Sequence, residues 1–201
     1  MLNLLPVEEP AGMDLFSARE RESFESFKSP KRKMEWYWAR VAAKQLLSEV
    51  FSENPAKIEI LSNKDRAPYA VLKGRKIPIS LSHRENLCGC AVTISGHVGL
   101  DIEKKEKKDL SLFSEYLDEA EYSYCISHPD SFSAVWALKE ASLKMLGLGL
   151  SVSAKEAAVR EKDIIFSGRA LEKAILLGAE KPNFELIEKD DYHIALTWSD
   201  A

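Results

Sequence analysis

Four side chains in this chain have the types and spacing needed for chemistry on phosphates. Asp101 and Glu103 lie two apart in Gly99-Leu100-Asp101-Ile102-Glu103. Glu140 and Lys144 lie four apart in Trp136-Ala137-Leu138-Lys139-Glu140-Ala141-Ser142-Leu143-Lys144. Residues 98–102 read as a short apolar strand, and side chains two apart on a strand share a face, so both carboxylates point the same way. The second stretch reads as a helix, with Trp136, Leu143 and Leu146 at apolar positions and Gly147 as its stop. Glu140 and Lys144 share a face of that helix, with Lys139 beside them. Two strand carboxylates and one helix carboxylate make a hard-oxygen site that suits Mg²⁺. A lysine next to it suits a phosphate. The combination points to phosphoryl-group chemistry on a diphosphate substrate.

The elements that must hold these groups follow from pattern. After a loose start with Pro6 and Pro10, a helical pattern opens near residues 16–20 and is interrupted at Ser29-Pro30. The basic cluster Lys31-Arg32-Lys33 follows, then an amphipathic helix over residues 34–50 carried by Trp38, Val41 and Leu46, with Arg40 and Lys44 on its exposed side. Strand-like runs occupy residues 57–61, 70–72, 77–83 and 90–94, with turns at 62–66, Gly74 and Gly96. The pattern then repeats. Residues 117–121 echo residues 16–20; Trp136, Glu140 and Lys144 match Trp36, Arg40 and Lys44 one hundred positions on; residues 195–198 echo residues 91–94. The expected fold is α+β, with two similar subdomains, residues 1–97 and 98–201, each a small sheet under a long packed helix. A half of this size buries little surface alone, so a pseudo-twofold pairing is expected, with a polyanion in the cleft between basic helix and acids.

Composition narrows the rest. Hydrophobic residues at 45% with 30% charged describe an ordinary globular protein, and a net charge of −4 argues against nucleic-acid binding. No apolar run reaches transmembrane length, and Met1-Leu2-Asn3-Leu4-Leu5 lacks the basic start of a signal peptide, so no membrane association is expected. Cys88, Cys90 and Cys125 are odd in number and show no metal-ligand spacing, which fits reduced thiols in a cytoplasm. Cys88 and Cys90 are expected as buried small hydrophobes.

The paired signatures G-x-D-x-E and W-x-x-K-E-A-x-x-K, followed by Gly147 and Gly149, resemble the 4′-phosphopantetheinyl transferases. The length and internal duplication resemble the pseudo-dimeric, surfactin-synthetase-activating type. The resemblance implies transfer of the 4′-phosphopantetheine arm of coenzyme A to a serine of an apo-acyl or peptidyl carrier protein, releasing adenosine 3′,5′-bisphosphate. It implies Asp101, Glu103 and Glu140 as Mg²⁺ ligands and Glu140, Lys144 and Asp101 as the catalytic set. Glu140 is then a third ligand or the base for the carrier serine, with a water on the ion as the other route for that proton. Lys144 meets the diphosphate, where it could protonate the leaving group, and Lys139 is a phosphate contact or an exposed lysine. Glu121 belongs to the metal's surroundings or is a solvated helix-start acid. Coenzyme A is held by Arg40, Lys33, His83, Ser82, Pro68, Lys139 and Lys144, with Arg84 a further phosphate candidate. Asp65-Arg66-Ala67 departs from the family, in which glycine and often lysine precede the proline. Residues 104–118, with Lys104-Lys105-Glu106-Lys107-Lys108, are the expected carrier-docking segment. The expected setting is a cytoplasmic monomer of pseudo-dimeric halves. The alternative is a catalytically inactive coenzyme A-binding protein of the same fold.

Overall fold

The computed structural model describes residues 1–63 and 67–200; the readings made on Asp65 and Arg66 lie outside the described residues. The chain divides into two compact units, Met1–Ile94 and Ser95–Ala201, and each is α+β.

The first unit runs β1 (Leu2–Pro6), α1 (Ala18–Ser26), α2 (Pro30–Phe51), β2 (Glu59–Ser62), β3 (Pro68–Leu72), β4 (Arg75–Arg84) and β5 (Leu87–Val92). Its strands form one antiparallel sheet in the order β1-β5-β4-β3-β2. Two local expectations are corrected. The chain start is not loose but is the edge strand β1, where Pro6 ends the strand and costs the ladder little. Ser29-Pro30 does not interrupt a helix but begins one: the Ser29 hydroxyl accepts from Arg32 N at 3.4 Å and proline occupies the first helical turn, where its missing N–H is no loss. Lys31, Arg32 and Lys33 therefore lie in the first turn of α2. The helix packs Ala42, Ala43, Leu46 and Leu47 against Ile58, Ile60 and the strand interiors, and its earlier turns carry Trp36 and Tyr37 into an aromatic cluster with Phe16 and Phe24.

The second unit runs β6 (His97–Lys104), α3 (Glu119–Ser127), α4 (Phe132–Met145), β7 (Ala157–Val159), β8 (Ile164–Phe166), α5 (Gly168–Leu177), β9 (Asn183–Lys189) and β10 (Tyr192–Ser199). An antiparallel sheet in the order β6-β10-β9 supports α4, and β7 and β8 pair separately. Residues 157–189, where no element was expected from pattern, supply β7, β8, α5 and β9; their side chains close a second core of Leu143, Leu146, Ile164, Phe166 and Ala170. Small residues, Ala137 and Ala141 on α4 and Ala195 on β10, let the helix lie close on its sheet.

Both units contain the same buried ion pair. In the first, Ser17 and Glu20 form a capping box at α1, and Glu20 reaches Lys44 of α2 at 3.0 Å. Lys44 also donates to Ile58 O, and Glu20 accepts from Ile60 N at 3.0 Å. In the second, Asp118 and Glu121 form the box at α3, and Glu121 reaches Lys139 of α4 at 2.6 Å. Lys139 also donates to Ala157 O at 2.9 Å, and Glu121 accepts from Val159 N at 2.7 Å. The structural counterpart of Lys44 is thus Lys139 and not Lys144, so matching the helices one hundred residues apart sets them out of phase. Lys44, expected on an exposed face, is 0% exposed; the pairing with Glu20 offsets the cost of burying its ammonium.

Candidate active site

The strand acids and the helix meet at Gly99. A Cβ built there would sit 1.8 Å from Ala141 O and 2.7 Å from Met145 N, so Gly99 faces α4 at backbone contact. Strand alternation then turns Asp101 and Glu103 to the same face. Asp101 is buried and Glu103, one step nearer the strand end, is half-buried. Leu100 and Ile102 point the other way and are also buried. Lys144, in the last turn of α4, reaches Asp101 Oδ1 at 2.6 Å and Leu100 O at 3.3 Å. Beyond it Gly147 takes a positive φ of 71°, and Leu148 N closes on Leu143 O at 2.9 Å, which ends the helix just past the lysine.

Glu140 is the unusual member. It is buried, and its Oε1 accepts no hydrogen bond. Burial first, and then the charge of Asp101, push its carboxyl above the usual carboxylate range, while Lys144 pulls the other way. A buried carboxylate oxygen without a donor, next to a second carboxylate, is a position that a cation would stabilise. Asp101 and Glu140 are therefore a pair whose chemistry suits a hard divalent ion, with Glu103 two residues along the same strand face; among the described residues no three His, Cys, Asp or Glu side chains converge on one metal position.

Three expectations are corrected. Lys139 is 0% exposed, with its ammonium spent on both oxygens of Glu121 and on Ala157 O; it cannot contact a ligand phosphate. Glu121 is not a solvated acid: it is buried, and its carboxylate is taken up by Lys139 and by the Asp118 and Val159 amides. Ser82 is 5% exposed and points to the inner face of β4, whereas His83, its neighbour, points outward by strand alternation.

In the first unit, Arg40 lies over the Trp36 ring with Cζ 3.9 Å from its centroid. Its Nε–H is buried and donates to no partner, and burial lowers its pKa to about 10 against the opposing charge of Glu20. Lys33 pairs with Glu25 at 2.9 Å and covers the Phe24 ring. His83 Nε2 lies 3.1 Å from Glu35 Oε2, and Lys31 approaches the same glutamate at 3.8 Å. Pro68 is the half-buried first residue of β3. Sequence reasoning missed Glu35, although its i,i+4 spacing from Lys31 was visible. It also missed what Gly99 does, which no pattern in one strand could reveal. A cavity of about 720 Å³ in the second unit, lined by Tyr124, Ala134, Val135, Leu138, Phe184 and Leu186, includes none of Asp101, Glu103, Glu140 and Lys144.

The site thus joins strand acids to a helix that brings them a carboxylate and an ammonium. Residues 97–197, just over half the chain, match the 4′-phosphopantetheinyl transferase superfamily, and the chain belongs to that family. A Bacillus subtilis protein named 4′-phosphopantetheinyl transferase is 27% identical over 161 residues, covering 78% of this chain and 71% of the relative. The 4′-phosphopantetheinyl transferase Sfp of Bacillus subtilis strain 168 is 27% identical over 160 residues, covering 72% and 71%. The 4′-phosphopantetheinyl transferase gsp of Aneurinibacillus migulanus is 32% identical over 82 residues, 38% of this chain and 34% of that one. Among solved structures, Helicobacter pylori holo-[acyl-carrier-protein] synthase in complex with coenzyme A aligns with a TM-score of 0.43 at 20% identity, over 51% of this chain and 99% of that one.

Proposed function

We propose that this chain is a Mg²⁺-dependent 4′-phosphopantetheinyl transferase that modifies a serine of an apo-acyl or peptidyl carrier protein with the arm of coenzyme A. The observation that carries the reading is the meeting of Asp101, Glu140 and Lys144 at the Gly99 contact, inside the span that matches the family. In the reaction the serine oxygen bonds the β-phosphorus of coenzyme A, and the bond from that phosphorus to the bridging oxygen breaks. Adenosine 3′,5′-bisphosphate leaves, and the serine proton passes to a base.

Asp101, Glu140 and Glu103 are the residues that would hold the ion. When bound, Mg²⁺ would neutralise the diphosphate and fix in-line geometry. Lys144, within 2.6 Å of Asp101, would pair with a diphosphate oxygen and stabilise charge on the leaving group. Glu140, with a free oxygen and a carboxyl pushed up by burial, has the character of a general base as well as of a ligand. On the coenzyme A side the proposal keeps Arg40, Lys33, His83 and Pro68 and drops Lys139 and Ser82. Arg40 is the strongest of these, because a guanidinium already stacked on Trp36 loses little freedom when it takes a phosphate.

The carrier is proposed to dock on residues 104–118. Exposed Leu112 and Tyr116 there adjoin the lysine run, which supports an amphipathic acidic partner. A cytoplasmic monomer belongs to the same proposal. The three buried, unpaired cysteines fit a reducing compartment. No helix among the described residues is long and apolar enough to cross a membrane.

The direct test is intact-protein mass spectrometry of an apo fatty-acid carrier and an apo peptidyl carrier incubated with this protein, coenzyme A and Mg²⁺. The expected result is gain of one phosphopantetheine arm, abolished by EDTA. Coenzyme A binding with no gain on either carrier would favour the inactive binder. For Arg40→Ala we expect the KM for coenzyme A to rise roughly 10-fold, the worth of one charge-assisted contact. The KM for 3′-dephospho-coenzyme A should change much less. Equal rises for both substrates would remove the 3′-phosphate from Arg40.

A further inference from the structure

We propose that Glu121 and Lys139 are positioning residues for the transfer, and that their buried pair fixes the rotation of α4 and so the aim of Glu140 and Lys144 at Asp101. This rests on the transferase reading above. An ammonium has three protons, and Lys139 has three partners within hydrogen-bonding distance: Glu121 Oε1 at 2.7 Å, Glu121 Oε2 at 2.6 Å and Ala157 O at 2.9 Å. Glu121 is held in turn by Asp118 N at 2.9 Å and Val159 N at 2.7 Å. The pair therefore ties α4 to the start of α3 and to β7.

The helix needs such a tie. Towards its sheet it presents Ala137, Leu138 and Ala141, and at Gly99 it meets bare backbone. Leu143, Met145 and Leu146 pack its last turn into the second core. That packing is non-directional, and the charged bonds of Lys139 add a directional constraint beside Glu140. Glu140 is the next residue along from the tether. With Cα atoms about 2.3 Å from the axis and a carboxylate roughly 6 Å out, a 10° rotation moves its oxygens by about 1 Å. A misplacement of that size costs on the order of 10²-fold in rate.

The first unit repeats the device where the proposal again needs a helix-borne cation held in place. Lys44, tied to Glu20, lies one turn beyond Arg40. The pair recurs with a capping box and two backbone contacts in each unit but beside different chemistry, Arg40 in one unit and Glu140 in the other. A direct role in bond-making would not require it twice; orienting a helix would.

Two variants test this: Glu121→Asp, which keeps both charges and draws the anchor in by one methylene, and Glu121→Gln combined with Lys139→Met, which replaces the pair with neutral groups of similar shape. The readouts are kcat and KM for coenzyme A, and crystal structures of wild type and variants superposed on β6 and β10. We expect kcat to fall 10- to 100-fold with KM for coenzyme A within threefold, and the 2.6 Å contact of Lys144 with Asp101 to lengthen by about 1 Å. Glu20→Asp should do the reverse and raise KM with kcat retained. A folded Glu121→Asp protein with wild-type kcat, or with lowered kcat and an unmoved α4, overturns the proposal. If the double variant does not fold, Glu121→Asp decides. If wild type itself modifies no carrier, the transferase reading fails, and the displacement of α4 in the variant structures decides the positioning role alone.

Discussion

Glu140→Gln is expected to leave the protein at least as stable as wild type while cutting transfer roughly 10³-fold, the scale of losing a general base or a metal ligand. Most buried charges are costly to remove because a partner is stranded. Glu140 differs in that its Oε1 accepts no hydrogen bond, and burial together with Asp101 pushes its carboxyl up. A carboxyl whose folded value is raised favours the folded state only when protonated. That advantage is lost as pH rises from the unfolded value, about 4.3, through the raised folded one, so at neutral pH Glu140 burdens the fold. Replacing it with a neutral amide of the same shape lifts the burden. The stability gain should appear in Tm at pH 7 without added divalent metal and vanish near pH 3, well below the unfolded value, where wild type is protonated in both states. Carrier modification under single-turnover conditions gives the rate. A folded variant with near wild-type turnover would take Glu140 out of the mechanism, and a large drop in Tm at pH 7 would show that its carboxylate is better satisfied than its contacts indicate.

The second large effect is at Gly99. Alanine there would put a methyl 1.8 Å from Ala141 O and 2.7 Å from Met145 N, and both are helix backbone, which cannot rotate away as a side chain can. Either α4 lifts off β6 or the unit unfolds. Overpacking of this kind costs about 3 kcal/mol or more, which lowers Tm by roughly 6–12 °C for a chain of this size. Transfer should fall with it even where the protein stays folded, because lifting the helix carries Glu140 and Lys144 away from Asp101. Thermal unfolding followed by circular dichroism, with transfer assayed well below the new Tm, separates the two losses. A Gly99→Ala protein with unchanged Tm and activity would mean that helix and strand are not in the contact described.

Much of the site was legible because its chemistry is local. Asp101 and Glu103 share a face by the two-residue strand period, and Glu140 and Lys144 share one by the helical period; both periods hold wherever the elements pack. The same locality led to errors where burial decides. Lys139 has the residue type of a phosphate ligand, and Lys44 stands on an amphipathic helix as an exposed lysine would. Neither is exposed, because each is claimed by a glutamate 18 or 24 residues away. The signal was present in the capping boxes at Ser17 and Asp118, each ending in an acid at the third helical position. Sequence alone could not show that this acid turns inward to a lysine on the next helix.

What the sequence determined by itself is therefore the α+β class and which groups share a face on the elements that carry the site: the β6 acids and the α4 glutamate and lysine. Periodicity, caps and glycine stops fix those over a few residues at a time. Only the tertiary structure decided which charges act outward and which are spent inside. That depends on the distance between helix and strand, set at Gly99 by a missing Cβ, and on partners brought together across tens of residues by folding.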